Sequence, residues 1–199
     1  MEISRPKQEQ HVVKQILTGL IATAATFAGG PLSAQYSKPV TLNIAVGAAI
    51  PVGDLSDGFN TGYNGTVGLG LKSIGTPLGI RFEGMYNKFG AKDELVNQPD
   101  IRVIAGTANL EYSLPGVGIR PYLIGGAGYY SMKLDVDNAE SVNKFGLNGG
   151  IGAVFPLSGF NTYVEARLHH VFTENNSTQF VPVVFGLQFR SEEHTSERV

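Results

Sequence analysis

The chain has 199 residues, room for one domain and a leader, and it lacks cysteine, which excludes disulfides, thiolate chemistry and zinc–thiolate sites. Its 15 Lys and Arg residues are scattered along the sequence and are balanced by 17 Asp and Glu residues for a net charge of −2. This charge pattern predicts that the protein has no nucleic-acid partner.

The first 34 residues have the composition of a secretory signal. Three basic residues precede an uncharged apolar run over residues 16–28, residues 29–31 would break a helix, and residues 32–34 offer a cleavage site. The apolar run is too short for a membrane anchor. We therefore predict a signal peptide over residues 1–34 and a single exported domain over residues 35–189.

From residue 40 onward, apolar residues alternate with small or polar ones, as in β-strands that have two unlike faces. In residues 78–89, for example, Ile80 and Phe82 fall on one face while Arg81 and Glu83 fall on the other. The pattern predicts eight strands, over residues 41–50, 63–72, 78–89, 103–112, 120–134, 144–155, 162–172 and 179–189.

The connections between these strands alternate in length. Short ones with Gly and Pro, typical of hairpin turns, fall at residues 73–77, 114–118 and 156–160. Longer and more polar ones fall at residues 51–60, 90–100 and 136–143, with a shorter fourth at 174–177. Transmembrane barrels have such turns at one end and loops at the other, and ten or eleven tilted residues cover the apolar band of about 25 Å. The predicted fold class is all-β, an eight-stranded antiparallel up-and-down transmembrane β-barrel.

The small or polar residues that alternate with the apolar ones decide which face of each strand meets lipid. A soluble lipocalin-like carrier, the alternative barrel, would expose a row rich in Lys, Glu and Thr. Here that row holds mostly small residues that suit a narrow interior, together with a few charges of both signs: Arg81, Glu83, Glu111, Glu165 and Arg167. Because strands three and seven stand on opposite walls of such a barrel, we predict a structural ion-pair cluster across the lumen and no open pore.

Aromatic residues near the strand ends are expected to form the interfacial belts of a membrane barrel. These are Tyr63, Tyr86, Tyr112, Tyr122, Tyr130, Phe145, Phe155, Phe172 and Phe189. The fifth strand is rich in glycine and its facing is ambiguous. We expect its large residues to point outward, namely Tyr122, Ile124, Tyr130, Met132 and Leu134.

Five segments of the chain resemble the small outer-membrane β-barrel proteins, the opacity-protein and OmpA-like barrel group. They are residues 50–63 (IPVGDLSDGFNTGY), 120–130 (RPYLIGGAGYY), 144–157 (KFGLNGGIGAVFPL), 164–172 (VEARLHHVF) and 180–189 (FVPVVFGLQF). The resemblance covers essentially the whole mature chain. It is specific for architecture and weak for activity, because the group includes adhesins, complement-resistance proteins and narrow channels.

The resemblance implies a location and a set of partners. The location is the cell outer membrane, and the partners are its lipids and lipopolysaccharide, the barrel-assembly machinery and an extracellular ligand bound through the loops. Phe189 resembles the terminal aromatic residue that the machinery reads as an assembly signal. The tail over residues 190–199 departs from the family pattern, and RSEEHTSE resembles a translated sequencing adapter, so we expect the native chain to end at or just after Phe189.

Candidate catalytic and metal-binding residues are few. His169 and His170 are adjacent on a strand and must point to opposite faces, so they cannot share a metal. Glu83 and Glu165 are better explained by ion pairing than as an acid and base, because the lumen admits no substrate. An outer-membrane lipid-modifying enzyme is the alternative function, but the one serine after His169 within the barrel, Ser177, lies beyond the predicted strand. We predict a structural or surface-interaction role with no enzymatic activity, no cofactor and no metal.

Overall fold

The computed structural model describes residues 40–72, 76–92, 99–136, 139–173 and 177–190. They form eight strands and one short helix: β1 (Val40–Val52), α1 (Asp54–Gly58), β2 (Gly62–Lys72), β3 (Leu78–Phe89), β4 (Ile101–Ser113), β5 (Arg120–Leu134), β6 (Val142–Pro156), β7 (Asn161–Phe172) and β8 (Ser177–Arg190). Among these residues no helix has the length and apolarity needed to cross a membrane. The predicted signal peptide and the tail after Arg190 lie outside the described residues.

Every strand pairs antiparallel with its neighbour in sequence, and β1 pairs with β8 to close the barrel. The closing register sets Leu42 opposite Phe189 and Asn43 opposite Gln188, and the Gln188 side-chain amide donates a hydrogen bond to Oδ1 of Asn43 at 3.0 Å. The predicted fold class is confirmed, and each predicted strand boundary lies within about two residues of the observed one.

The two ends of the barrel differ in their connections. At the turn end, where Val40 and Arg190 also lie, the chain links β2 to β3, β4 to β5 and β6 to β7 by short segments. Gly118 and Gly159 in these turns have φ angles of 80° and 90°, a left-handed conformation that glycine adopts without steric cost. At the loop end the connections from β1 to β2, β3 to β4 and β5 to β6 are longer, whereas the one from β7 to β8 is as short as a turn, and α1 lies in the first of them.

The outer wall of the barrel is apolar. Large hydrophobic side chains are exposed on all eight strands, among them Leu69, Phe82, Leu110, Ile151 and Phe185. The inward positions instead hold buried polar and charged groups together with clusters of buried apolar side chains. Since a soluble protein does not expose so extensive an apolar surface, the predicted orientation, with lipid outside, is confirmed and a soluble carrier is excluded.

The predicted facing of β5 is wrong. Tyr122, Ile124, Tyr130 and Met132 point into the lumen and are buried, whereas Leu134, the last residue of the strand, is exposed at the loop end. Hydrogen bonds and close packing inside the barrel, described below, stabilise the two tyrosines there. The opposite face of β5 presents other large side chains to the outside, including Leu123 and Tyr129.

The aromatic belts are therefore smaller than expected. Seven of the nine predicted belt residues lie on the outer wall near strand ends, namely Tyr63, Tyr86, Tyr112, Phe145, Phe155, Phe172 and Phe189. Tyr122 and Tyr130 lie inside the barrel. The seven suffice to mark both rims of the apolar band, which is where outer-membrane barrels have their aromatic girdles.

Candidate functional site

Four charged side chains from opposite walls meet in the middle of the lumen. Arg81 and Glu83 come from β3, and Glu165 and Arg167 come from β7. Arg167 contacts Glu83 at 2.6 Å and Glu165 at 2.8 Å, while Arg81 pairs with Glu165 and lies 3.3 Å from Glu83. All four are almost fully buried. Each cation lies between two carboxylates, so no charge is left uncompensated.

Glu111, the fifth predicted member, lies at the edge of this cluster. Its carboxylate is 3.7 Å from the Arg81 guanidinium and 4.0 Å from the Lys72 ammonium group. Its side chain is 14% exposed, against 1–5% for the other four members. Glu111 thus faces the turn end of the lumen, where the ionic network meets water.

Two neutral side chains complete the hydrogen bonding of the carboxylates. The hydroxyl of Tyr122 donates to Oε2 of Glu165 at 2.7 Å, and the amide of Asn109 donates to Oε2 of Glu83 at 3.0 Å. The rings of Tyr122 and Tyr163 lie 5.5 and 5.8 Å from the Arg81 guanidinium, within the range of cation–π contacts. Sequence reasoning missed Tyr122 because it assigned that residue to the lipid face.

Glycines on neighbouring strands make room for these two rings. A Cβ atom added at Gly152 would overlap the ring of Tyr122, and one added at Gly186 would overlap the ring of Tyr163. The inward glycines of β6 and β8 are therefore the sequence signal that places large rings opposite them in the lumen.

The half of the lumen near the loop end is filled by an apolar plug. Phe89 and Phe180 meet edge to face with ring centroids 5.6 Å apart, and His169 stacks on Phe180 at 5.0 Å. The hydroxyl of Tyr130 is 2.8 Å from Nδ1 of His169. Leu55 of α1 is buried in the same cluster, so the helix covers the plug from above.

Little space remains inside the barrel around the ions. A cavity of about 10 Å³ lies beside Glu83, Glu165 and Arg167, enough for about one water molecule. A second, of about 60 Å³, lies at the turn end beside Lys72 and Glu111. Both are far smaller than the pockets that hold small-molecule ligands.

The two histidines point to opposite faces, as their adjacency predicts. His169 lies in the plug, and His170 lies on the outer wall, 3.0 Å from the side-chain amide nitrogen of Gln179. Ser177 lies beyond β7, the strand that carries His169, as expected; it is the first residue of β8, and its hydroxyl accepts a hydrogen bond from Gln179 at 3.1 Å. In the described part of the chain, no three His, Asp or Glu side chains are arranged to hold a metal ion.

The fold is shared with solved membrane barrels. Neisserial surface protein A is 15% identical, with a TM-score of 0.57 over 76% of this chain and 95% of its own. Ail, the attachment invasion locus protein of Yersinia pestis, is 15% identical, with a TM-score of 0.53 over 77% of this chain and 99% of its own. A major outer membrane protein from Thermus thermophilus is 16% identical, with a TM-score of 0.50 over 76% and 99%.

No curated protein matches the chain in sequence. The profile of the family described as "Outer membrane protein beta-barrel domain", in contrast, matches residues 19–189, which include all eight strands up to Phe189. The lipid-facing outer wall is what such a location requires. The chain therefore belongs to the outer membrane protein beta-barrel domain family and is a protein of the outer membrane.

Proposed function

We propose that the protein is a sealed, non-enzymatic outer-membrane barrel that serves the envelope structurally and makes surface contacts through its loop end. The observation that carries the proposal is the pairing of Arg81 and Arg167 with Glu83 and Glu165 across the lumen. A solute path along the axis would have to separate these buried pairs and leave their charges uncompensated in the lumen, which is strongly unfavourable. The plug under α1 supports the same conclusion at the loop end.

The absence of cysteine from the chain allows a direct test of sealing. Ala105 is 4% exposed and faces the lumen, whereas Val117 in a turn is fully exposed. In purified, reconstituted protein, Ala105→Cys should resist a charged, membrane-impermeant maleimide, while Val117→Cys should react at the rate of a free thiol. Similar rates at the two positions would contradict a sealed lumen, as would steady unitary currents in planar bilayers.

A role in surface contact requires the loop end to face the medium. Ail has been solved in complex with the heparin analogue sucrose octasulfate, which supports a role in ligand contact for a barrel of this fold. An epitope tag inserted between Glu140 and Ser141, both exposed at the loop end, should be detected by antibody on intact cells. The same tag beside Val117 at the turn end should be detected only after the cells are opened. The reverse result would overturn the proposed orientation.

Lipid modification is the rival function, and it would need a serine and a histidine close together on the outer wall, as Ser177 and His170 are. The side-chain amide nitrogen of Gln179 bridges Nδ1 of His170 and the hydroxyl oxygen of Ser177. A nucleophilic serine would instead donate its own proton to the imidazole, so this arrangement favours a polar contact over catalysis. Lipid A from cells that express the protein should have an unchanged mass spectrum. A loss of acyl chains that disappears in Ser177→Ala would establish the enzyme instead.

A further inference from the structure

Formal charge occurs at three outward positions in the eight described strands. They are Lys88 on β3, Arg102 on β4 and Lys133 on β5. Lys88 is the register partner of Arg102, and Arg102 is the register partner of Lys133. Since neighbouring strands lie about 4.8 Å apart, the three cations form one row about 10 Å long at the loop end. We name this set the basic row.

Two carboxylates hold part of the basic row in place. Asp135 lies 2.8 Å from Lys88 and 3.5 Å from Arg102, and Asp100 lies 3.3 Å from Lys88. Three cations against two carboxylates leave one positive charge in excess. The row is therefore a positioned set of donors at the rim of the apolar band, where headgroup phosphates lie in a membrane.

A shallow apolar trough runs down the outer wall below the basic row. Its floor is made of Gly84 on β3 and Gly106 on β4, which are register partners, with Ala108 and Ala127 beyond them. Gly84 and Gly106 lie four residues below Lys88 and Arg102, a distance of about 13 Å along a strand. Large side chains stand along its borders, including Phe82, Tyr129 and Phe145.

The two glycines of the floor are not required by the packing of the barrel. A Cβ atom added at Gly84 or Gly106 would meet no atom within 4 Å, whereas one at the inward Gly126 or Gly150 would overlap the neighbouring strand. Neither Gly84 nor Gly106 has a positive φ angle. The small residues therefore keep an outward surface open.

We propose that the basic row and the trough together bind lipid A, the phosphorylated, multiply acylated glycolipid of the outer leaflet. The phosphates would contact Arg102, Lys133 and Lys88, and one acyl chain would lie over Gly84 and Gly106. Cations at headgroup depth directly above an apolar trough match an anionic lipid, and a row that spans three strands suits a headgroup with more than one phosphate. This site goes beyond the proposed function, because it uses neither the lumen nor the loop contacts.

The probe is bisphosphorylated, hexa-acylated lipid A added to the purified barrel in detergent, with bound lipid counted by native mass spectrometry. Removal of one cation from a membrane-surface contact weakens binding about fivefold, so Arg102→Gln with Lys133→Gln should weaken it more than tenfold. Lys72→Gln removes a cation at the turn end and should leave binding unchanged. Lys88 is retained in the test variant so that its contacts with Asp100 and Asp135 persist.

The trough is tested separately by a change of volume. Gly106→Leu fills the floor without touching the interior and should also weaken lipid A binding severalfold, while the barrel stays resistant to SDS. Ala48→Leu adds similar bulk at an exposed position on β1 and should have no effect. Unchanged binding in both Gly106→Leu and the double charge variant would overturn the site. Equal binding of phosphatidylglycerol would overturn the choice of lipid A, and a dimer that Gly106→Leu dissociates would identify a second copy as the occupant.

Discussion

Nη1 of Arg167 on β7 lies 2.6 Å from Oε2 of Glu83 on β3, although the two strands stand on opposite walls of the barrel. The contact passes through the axis, where a wider barrel would hold water. It therefore joins walls that the strand ladder connects only through the strands between them. The loops are thus carried by a barrel whose opposite walls are held together by an ion pair.

Removal of one partner should destabilise the barrel strongly. Arg167→Met would leave the carboxylates of Glu83 and Glu165 with one guanidinium between them, so we expect a loss of about 3–5 kcal/mol in the free energy of unfolding. Urea unfolding in detergent micelles measures the change. Glu111→Gln, at the exposed edge of the cluster, should cost about 1 kcal/mol or less. Combining Arg167→Met with Glu83→Gln should recover part of the loss, and strict additivity would contradict a direct pairing.

Insertion of a charge into the outer wall tests contact with lipid. Phe82 and Leu69 are register partners on the apolar wall, about half exposed. Phe82→Arg or Leu69→Arg should cost about 2–4 kcal/mol in lipid bilayers, because the guanidinium must enter hydrocarbon. Val117→Arg, in a turn, is the control and should cost close to nothing. An equally small cost at Phe82 would show that this wall does not face the bilayer core.

Filling the space beside Tyr122 should damage the interior. Gly152→Val places a branched side chain where the tyrosine ring packs, and we expect a cost of about 1–3 kcal/mol from overpacking. The midpoint temperature of the heat-dependent mobility shift in SDS gels would fall accordingly. Gly84→Ala, whose added methyl meets open space, should have little effect. In a Tyr122→Leu background Gly152→Val should cost less. An unchanged cost there would show that the added side chain does not collide with the ring of Tyr122.

Acidification should loosen the loop end of β3 to β5. A hydrogen bond from Lys88 holds the pKa of the Asp135 carboxyl below its ordinary value. Because the folded-state pKa is the lower one, the stabilising contribution is complete above about pH 4 and is lost as the pH falls through the lowered value. The difference in unfolding free energy between the wild type and Asp135→Asn should be constant at neutral pH and shrink below pH 4. A difference that grew on acidification would refute this assignment.

Phe189 is expected to matter for assembly more than for stability. It is exposed on the outer wall at the end of β8 and its ring centroid lies 6.2 Å from that of Phe160. Phe189→Ala should lower the amount of folded barrel in the outer membrane severalfold if the assembly machinery reads this ring. Phe185→Ala removes a ring from the same face and serves as the control. Equal yields of the two variants would show that position 189 carries no signal.

The alternating pattern was sufficient to predict strand number, closure and orientation, because hydrocarbon outside and tight space inside select different residue types at every second position. On β5 the same reasoning fails. Tyr129 and Tyr130 are adjacent, so both faces carry a large ring, and composition cannot choose between them. Room beside Gly152 and the acceptor on Glu165 decide the facing of Tyr122, and both come from other strands.

Of the two candidate sites, the ionic cluster could be predicted from the sequence and the basic row could not. The five ionic residues could be proposed from strand order alone, since strands three and seven must stand opposite each other among eight. The basic row could not, because whether Lys88, Arg102 and Lys133 share one level depends on the register between strands. A shift of one residue in the register would turn a cation inward, and loop lengths do not determine the register to within one residue.

The hydrogen bond between Gln188 and Asn43 joins residues 145 positions apart, at the seam that closes the barrel. No segment that lacks β8 can cover the free edge of β1, so the barrel is unfinished until the last of its eight strands is in place. Until then the edge of β1 stays open to pairing with other chains, so closure by β8 also protects the finished barrel from edge-to-edge aggregation.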